Sequence, residues 1–206
     1  MVNYIHILGP SGSGTTTLGK KLQEKLNYTH FDSDDYFWLP TDPPYQKKRS
    51  YKKRQKLLME DIGMAESWII SGSFCGWGDI FIPYFDLVIY LWVPTDIRIQ
   101  RLKEREKKQF GDLIKPGGKM YQTHIKFLEW AAKYDTGDMN MRSKKLHEKW
   151  MSELSCPVLR IEGVTSLKNS IDLVLDKIDE INNQKNYKNY FSEMNLSKET
   201  KNSSPE

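Results

Sequence analysis

The opening residues constrain this chain more than anything that follows them. Asn3–Leu8 is a short, apolar, β-rich stretch. It runs straight into Gly9-Pro10-Ser11-Gly12-Ser13-Gly14, which is too glycine-rich for regular structure. From Thr16 to Leu26, leucines recur at 18, 22 and 26, the spacing of one helical face. The first thirty residues therefore read strand, glycine loop, helix. Gly9-Pro10-Ser11-Gly12-Ser13-Gly14-Thr15-Thr16 fits the phosphate-cradling pattern G-x-x-x-x-G-K-[ST] at every fixed position but one, where Thr15 fills the lysine slot. The remaining physics of the loop is intact. Its glycines free the backbone to wrap an anion, successive N–H groups point inward, and the helix adds the partial positive charge of its N-terminus. Thr16 stands where a hydroxyl would meet a divalent cation.

The rest of the chain keeps the same rhythm. Tyr28–Asp32, Trp68–Ser71, Asp86–Val93 and Pro157–Ile161 read as further strands. Helical patterns separate them at Asp96–Lys108 (with Thr95 as its expected cap), Thr123–Tyr134, Met141–Leu154 and Ser166–Ile181. Alternating strands and helices predict an α/β fold with a mainly parallel sheet. The near-continuous run LVIYLWV suits a strand covered on both faces. Two stretches interrupt the rhythm: Pro40–Lys56, with three prolines and then a basic run, and Phe110–Asn140, glycine-rich at both ends. Both are expected as excursions from one domain spanning 1–182. Residues 183–206 are polar and are expected to form a loosely held tail.

Composition excludes whole function classes. The 206 residues carry a formal charge of +4 and 38 % hydrophobic side chains. No apolar run approaches the ~20 residues of a membrane span, so no membrane partner is expected. The N-terminus lacks a basic region and cleavage site, and the two cysteines, Cys75 and Cys156, make no disulfide framework; a cytoplasmic protein is expected. Mild basicity fits an anionic small molecule. Basic residues interleave with Tyr45 and Tyr51, but no stacking motif accompanies them, so nucleic acid is not the expected partner.

The stretches GPSGSGTTTLG, DSDDYFWLPTDPP and PGGKMYQTHIKFLEWAAKYD resemble bacterial adenylate-kinase-like proteins. More broadly, the start of the chain resembles P-loop kinases of the nucleoside monophosphate kinase and shikimate kinase type. The resemblance implies a three-layer α/β/α domain with a five-stranded parallel sheet in the order 2-3-1-4-5. It implies an acceptor-binding excursion at about 36–66 and a helical lid at about 106–140. It implies ATP and Mg²⁺, held by Gly9, Pro10, Ser11, Gly12, Ser13, Gly14, Thr15, Thr16 and Thr17, with Thr16 and Asp32 serving the metal. Asp34 is then expected to orient or deprotonate the acceptor. Arg49, Arg54 and Gly72 are expected at the acceptor, with Phe74 or Trp77 as a wall. An R-L-x-x-R run enters the lid of such kinases; here it is Arg101-Leu102-Lys103-Glu104-Arg105. Arg101, Arg105 and Arg142 are therefore the candidate catalytic cations, able to stand in for the absent lysine. Arg98 shares their helical face.

The expected activity is transfer of a γ-phosphoryl group from ATP–Mg to a hydroxyl or phosphate of a small molecule or nucleotide, by a monomer or homodimer. The alternative is a non-catalytic nucleotide-binding module with a degenerate loop. A motor or hydrolase of the larger P-loop type is not expected, because no acid ends Leu87–Val93. His6 lies within the first strand and is expected in the core. His124, Glu129 and His147 lack metal-ligand spacing, and Cys75 has no paired histidine.

Overall fold

The computed structural model describes residues 1–201. Five strands, β1 (Tyr4–Leu8), β2 (Thr29–Asp32), β3 (Trp68–Ser71), β4 (Leu87–Trp92) and β5 (Val158–Glu162), form one sheet in the order β2-β3-β1-β4-β5. Every pairing is parallel, with His6 opposite Ile70 on one side and Val88 on the other. This is the expected order.

Alternation along the strands builds two cores. On one face, Ile5, Ile7, Ile69 and Ile89 meet Leu18 and Leu22 of α1 (Thr15–Leu26) and Val174 and Ile178 of α7 (Leu167–Lys201). On the other, Leu8, Ile70, Val88 and Tyr90 meet Leu58 and Ile62 of α3 (Tyr51–Ile62) and Trp150 and Met151 of α6 (Lys144–Ser152). Burial on both sides is why these strands read as continuous apolar runs. A smaller cluster of Leu102, Leu128 and Ala131 joins α4 (Thr95–Phe110) to α5 (Tyr121–Ala132), the helix within the stretch expected as a lid.

Several boundaries differ from the sequence reading. Thr95 is the first helical residue of α4, not its cap, because its hydroxyl is committed to Asp135. Residues 106–110, expected in the lid, are the last turn of α4. The polar stretch expected as a tail from 183 begins as helix. α7 crosses that boundary and runs to Lys201, and Lys185 Nζ lies 2.8 Å from Asp86 Oδ1. The polar side chains of residues 183–186 are exposed on this helix. Residues 202–206 of the expected tail lie outside the described residues.

Candidate functional site

The loop after β1 is held open by close packing at its glycines. A Cβ at Gly9 would stand 2.2 Å from the Leu91 carbonyl oxygen, and one at Gly12 would stand 2.7 Å from that of Arg98. Gly14 has φ +102 and begins α1 without a side-chain cap, so the first helical amides are free of side-chain partners. The loop floors a cleft of about 860 Å³, lined by Gly9, Pro10, Ser11, Gly12, Gly14, Thr15, Thr16 and Thr17. Ser13 departs from the expected set. It is buried on the opposite side of the loop, its hydroxyl has no partner, and it lines a second cleft of about 290 Å³ with Gly163 and Thr165 after β5. Arg101 borders both clefts.

At the carboxyl end of β2 the chain turns into α2 (Ser33–Phe37). Asp32 caps that short helix, its Oδ1 accepting the Asp34 N–H at 3.0 Å. Its other oxygen, Oδ2, accepts the Thr16 hydroxyl at 2.8 Å. The two residues expected to serve a metal are therefore in contact, although they come from different βα turns. Mg²⁺ is usually held by one or two carboxylates together with phosphate oxygens and water. A hydroxyl and a carboxylate beside an amide cradle fit that donor set. Among the described residues, no group of three or more His, Cys, Asp or Glu side chains could hold a metal by itself.

Asp34 lies in the same cleft, open to solvent yet with protein around most of it. Desolvation raises its pKa, with Asp32 and Asp35 adding to the rise and Arg142 and Arg105 opposing it. Arg101, Arg105 and Arg142 all line the cleft, and the Arg142 guanidinium sits 5.5 Å from the Trp130 ring centre. Gly72 lines it too, with φ +111. A Cβ on Gly72 would fall 1.9 Å from Ser33 Oγ.

Three expectations are corrected. Arg49 is not a free acceptor-binding fork. One of its terminal nitrogens donates to the carbonyls of Asp35, Tyr36 and Trp38 at 3.0, 2.6 and 3.0 Å. Arg54 is buried, donates to the Arg49 carbonyl at 2.7 Å and stacks 3.7 Å above Phe37. Neither borders the cleft. Phe74 and Trp77 are core residues that meet edge to face with ring centres 4.9 Å apart, and give the acceptor no wall. Arg98 leaves the company of Arg101 and Arg105. It is fully buried and donates to Val93, Ser11 and Ala131 carbonyls, the Thr95 hydroxyl and Asp135.

Other residues complete the site without a motif to announce them. Lys48 and Lys126 line the cleft, as do Phe37, Trp38, Tyr45, Phe127 and Trp130. Leu128 and Ala131 pack, whereas Phe127 and Trp130 also reach the cleft. His124 Nδ1 lies 2.5 Å from Glu106 Oε2, pinning α5 to α4 at the cleft edge. Asp135 takes bonds from Trp92, Thr95 and Arg98. Burial alone would raise its pKa; those bonds and the Arg98 charge outweigh it and hold it low. His6, between Phe74 and Phe85, is the expected core histidine. Burial pushes its pKa down to about 3. Burial likewise raises the Cys75 thiol to about 11, which suits no nucleophile.

Comparisons with known proteins agree with this geometry. The model of the family described as AAA domain matches residues 5–113. An uncharacterised protein of Bacillus subtilis, YqaC, is 49 % identical over 176 residues, covering 85 % of this chain and 97 % of its own. A cytidylate kinase of Saccharolobus islandicus is 28 % identical over 148 residues, covering 66 % of this chain and 77 % of its own. Among solved structures, deoxyadenosine kinase from M. mycoides superposes with a TM-score of 0.53 at 18 % identity, covering 85 % of this chain and 99 % of its own. A gluconokinase from Sinorhizobium meliloti superposes with 0.52 at 11 %, covering 90 % and 97 %. The chain belongs to this AAA-domain family and has the P-loop fold of the nucleoside monophosphate kinase and shikimate kinase-like type.

Proposed function

We propose that this chain is a phosphotransferase that uses ATP and Mg²⁺ to phosphorylate a small acceptor. The observation that carries this reading is the 2.8 Å bond between Thr16 and Asp32, which joins the phosphate loop to the acidic turn after β2. Phosphoryl transfer asks a protein chiefly for positioning and for positive charge around the moving group. Loop amides would grip the triphosphate. Thr16 and Asp32 would hold Mg²⁺, which supplies charge neutralisation across the phosphate oxygens. Asp34 would accept the hydrogen bond of the acceptor and take its proton. Arg101, Arg105 and Arg142 would neutralise charge developing on the transferred group, from α4 and the far end of the lid rather than from the loop. The second cleft, beside Ser13 and Gly163, would take the base of the donor. No described helix is long and apolar enough to cross a membrane, and a cytoplasmic setting is part of the proposal.

Thr15 favours a second reading, a nucleotide-binding module without turnover. One experiment separates the two. Binding of a non-hydrolysable ATP analogue is measured with and without Mg²⁺, and turnover is screened with hydroxylated and phosphorylated acceptors. Magnesium-dependent binding with turnover supports the kinase. Binding without turnover, converted to turnover by Thr15→Lys, supports the degenerate module. Absence of binding at millimolar analogue ends both readings. The names of the similar proteins range from cytidylate to gluconate, so likeness alone does not choose an acceptor.

A further inference from the structure

The cleft holds enough chemistry to define its acceptor, given the phosphotransferase reading on which this step rests. Three features converge. The first is charge. Five cationic side chains line the cleft, Lys48, Arg101, Arg105, Lys126 and Arg142. Four carboxylates face them, Asp32, Asp34, Asp35 and Glu106. The surplus is one positive charge, and a metal-bound triphosphate, itself a net anion, more than consumes it. A second phosphate would then enter a cleft with no cation to spare and three aspartates clustered at the acidic turn.

The second feature is where the acceptor-side arginines have gone. The bidentate fork that a phosphate or carboxylate prefers is absent there. Arg49 is occupied with backbone carbonyls, and Arg54 is buried over Phe37. Lys48 is the one cation this segment offers the cleft.

The third feature is aromatic. One wall, Trp38 and Tyr45, begins directly beyond Asp34, whose carbonyl accepts the Trp38 N–H at 3.1 Å. The two rings meet edge to face at 5.9 Å. The other wall, Phe127 and Trp130, belongs to the lid, with rings nearly parallel at 25°. It shares the cleft with the same aspartate, and Arg142, which lies over Trp130, lines that cleft too. Paired aromatic walls beside a carboxylate suit a flat π-system bearing a hydroxyl, because every base has a face to stack. A polyol would leave them unused.

We propose that the acceptor is a nucleoside, an uncharged alcohol carried with a flat heteroaromatic ring. Its hydroxyl oxygen bonds to the γ-phosphorus of ATP as the bond from that phosphorus to the bridging oxygen breaks. ADP leaves with the electron pair, and the hydroxyl proton passes to the Asp34 carboxylate and on to water. The products are a nucleoside monophosphate, ADP and a proton.

The test uses the full chain and separates this proposal from the one beneath it. Quenching of tryptophan fluorescence is followed with four nucleosides, their 5′-monophosphates and gluconate, in the presence and absence of a non-hydrolysable ATP analogue with Mg²⁺. Transfer from labelled ATP is measured to the same compounds. At least one nucleoside is expected to bind and to exceed its monophosphate in kcat/KM by about tenfold or more, since like charge in a cleft disfavours the wrong ligand. Trp130→Leu is expected to weaken nucleoside binding by roughly tenfold, from lost stacking. Tyr45→Asn, at an exposed site with φ +65 that asparagine tolerates, is expected to weaken it with unchanged melting temperature. Preference for monophosphates or gluconate, or no nucleoside binding in either condition, overturns the nucleoside proposal. If ATP analogue still binds with Mg²⁺ in that case, the phosphotransferase reading survives; if nucleosides bind and the analogue does not, that reading fails instead.

Discussion

Arg98 offers the sharpest test of how the loop, α4 and the lid are joined. The proposed change is Arg98→Met, which keeps an unbranched apolar stem and removes the guanidinium. Five hydrogen bonds go with it, two of them to the Thr95 hydroxyl and the Asp135 carboxylate and three to carbonyls of Ser11, Val93 and Ala131. The arginine side chain is fully buried, whereas that of Asp135 is 27 % exposed. Removing one partner of a buried pair costs about 3–5 kcal/mol, and partial exposure of the other places this case near about 3 kcal/mol. For a chain of this length each kcal/mol moves Tm by about 2–4 °C, so the expected fall is about 6–12 °C. Scanning calorimetry or a circular-dichroism melt reads it. Adding Asp135→Asn removes the orphaned charge, leaves one acceptor oxygen for Trp92 and sets an NH2 that can donate to the Thr95 hydroxyl oxygen. The double variant is expected to regain part of the loss, with a coupling of about 0.5–3 kcal/mol. A single variant melting within about 2 °C of the parent would refute the reasoning. So would strict additivity in the double.

Three further expectations follow from the geometry. Asp32→Asn keeps one oxygen for the Asp34 amide and sets an NH2, able to donate to the Thr16 hydroxyl oxygen, in place of the other, but loses the charge; Mg²⁺-dependent nucleotide affinity, measured by calorimetric titration, is expected to drop roughly 10–100-fold. Gly72→Ala forces a Cβ toward Ser33 at φ +111, and urea unfolding is expected to report a loss of about 1–3 kcal/mol, only partly relieved by Ser33→Ala because the backbone strain remains. His6 and His147 are held neutral in the fold, each pushed down by burial to about 3 from 6.5. The unfolded chain takes up these protons first, so their contribution is full above pH 6.5 and falls as pH drops from there toward 3. At pH 5 each is expected to have lost about 2 kcal/mol, seen as a falling urea midpoint, whereas a flat profile from pH 7 to 5 would contradict it.

How much of this was legible in the sequence depended on the kind of information each residue carries. LVIYLWV and WIIS announced buried parallel strands because both faces must be apolar. Thr16 and Asp32 were found together because each ends a βα turn on the same sheet edge, a relation that topology fixes. Arg49 and Arg54 were misplaced because charge at a position does not say whether nearby carbonyls have already claimed its donors. Arg98, Arg101 and Arg105 share a helical face, yet the first is fully buried and the others line the cleft. Spacing gives direction around a helix, not what covers each turn. The aromatic walls were unreadable for a similar reason. Trp38 and Trp130 are far apart in the chain, and nothing local marks them as neighbours of one cavity.

The fastening of Asp135 has a mechanical consequence. Asp135, in the stretch between α4 and α6, clasps Trp92 at the end of β4 and both Thr95 and Arg98 in the first turn of α4. That bond set fixes the end of the stretch to the strand and helix that precede it, while His124 and Glu106 fix its middle to α4. Tyr121–Ala132 is thus anchored on two sides, and loss of the Asp135 carboxylate is expected to loosen the face that carries Phe127 and Trp130.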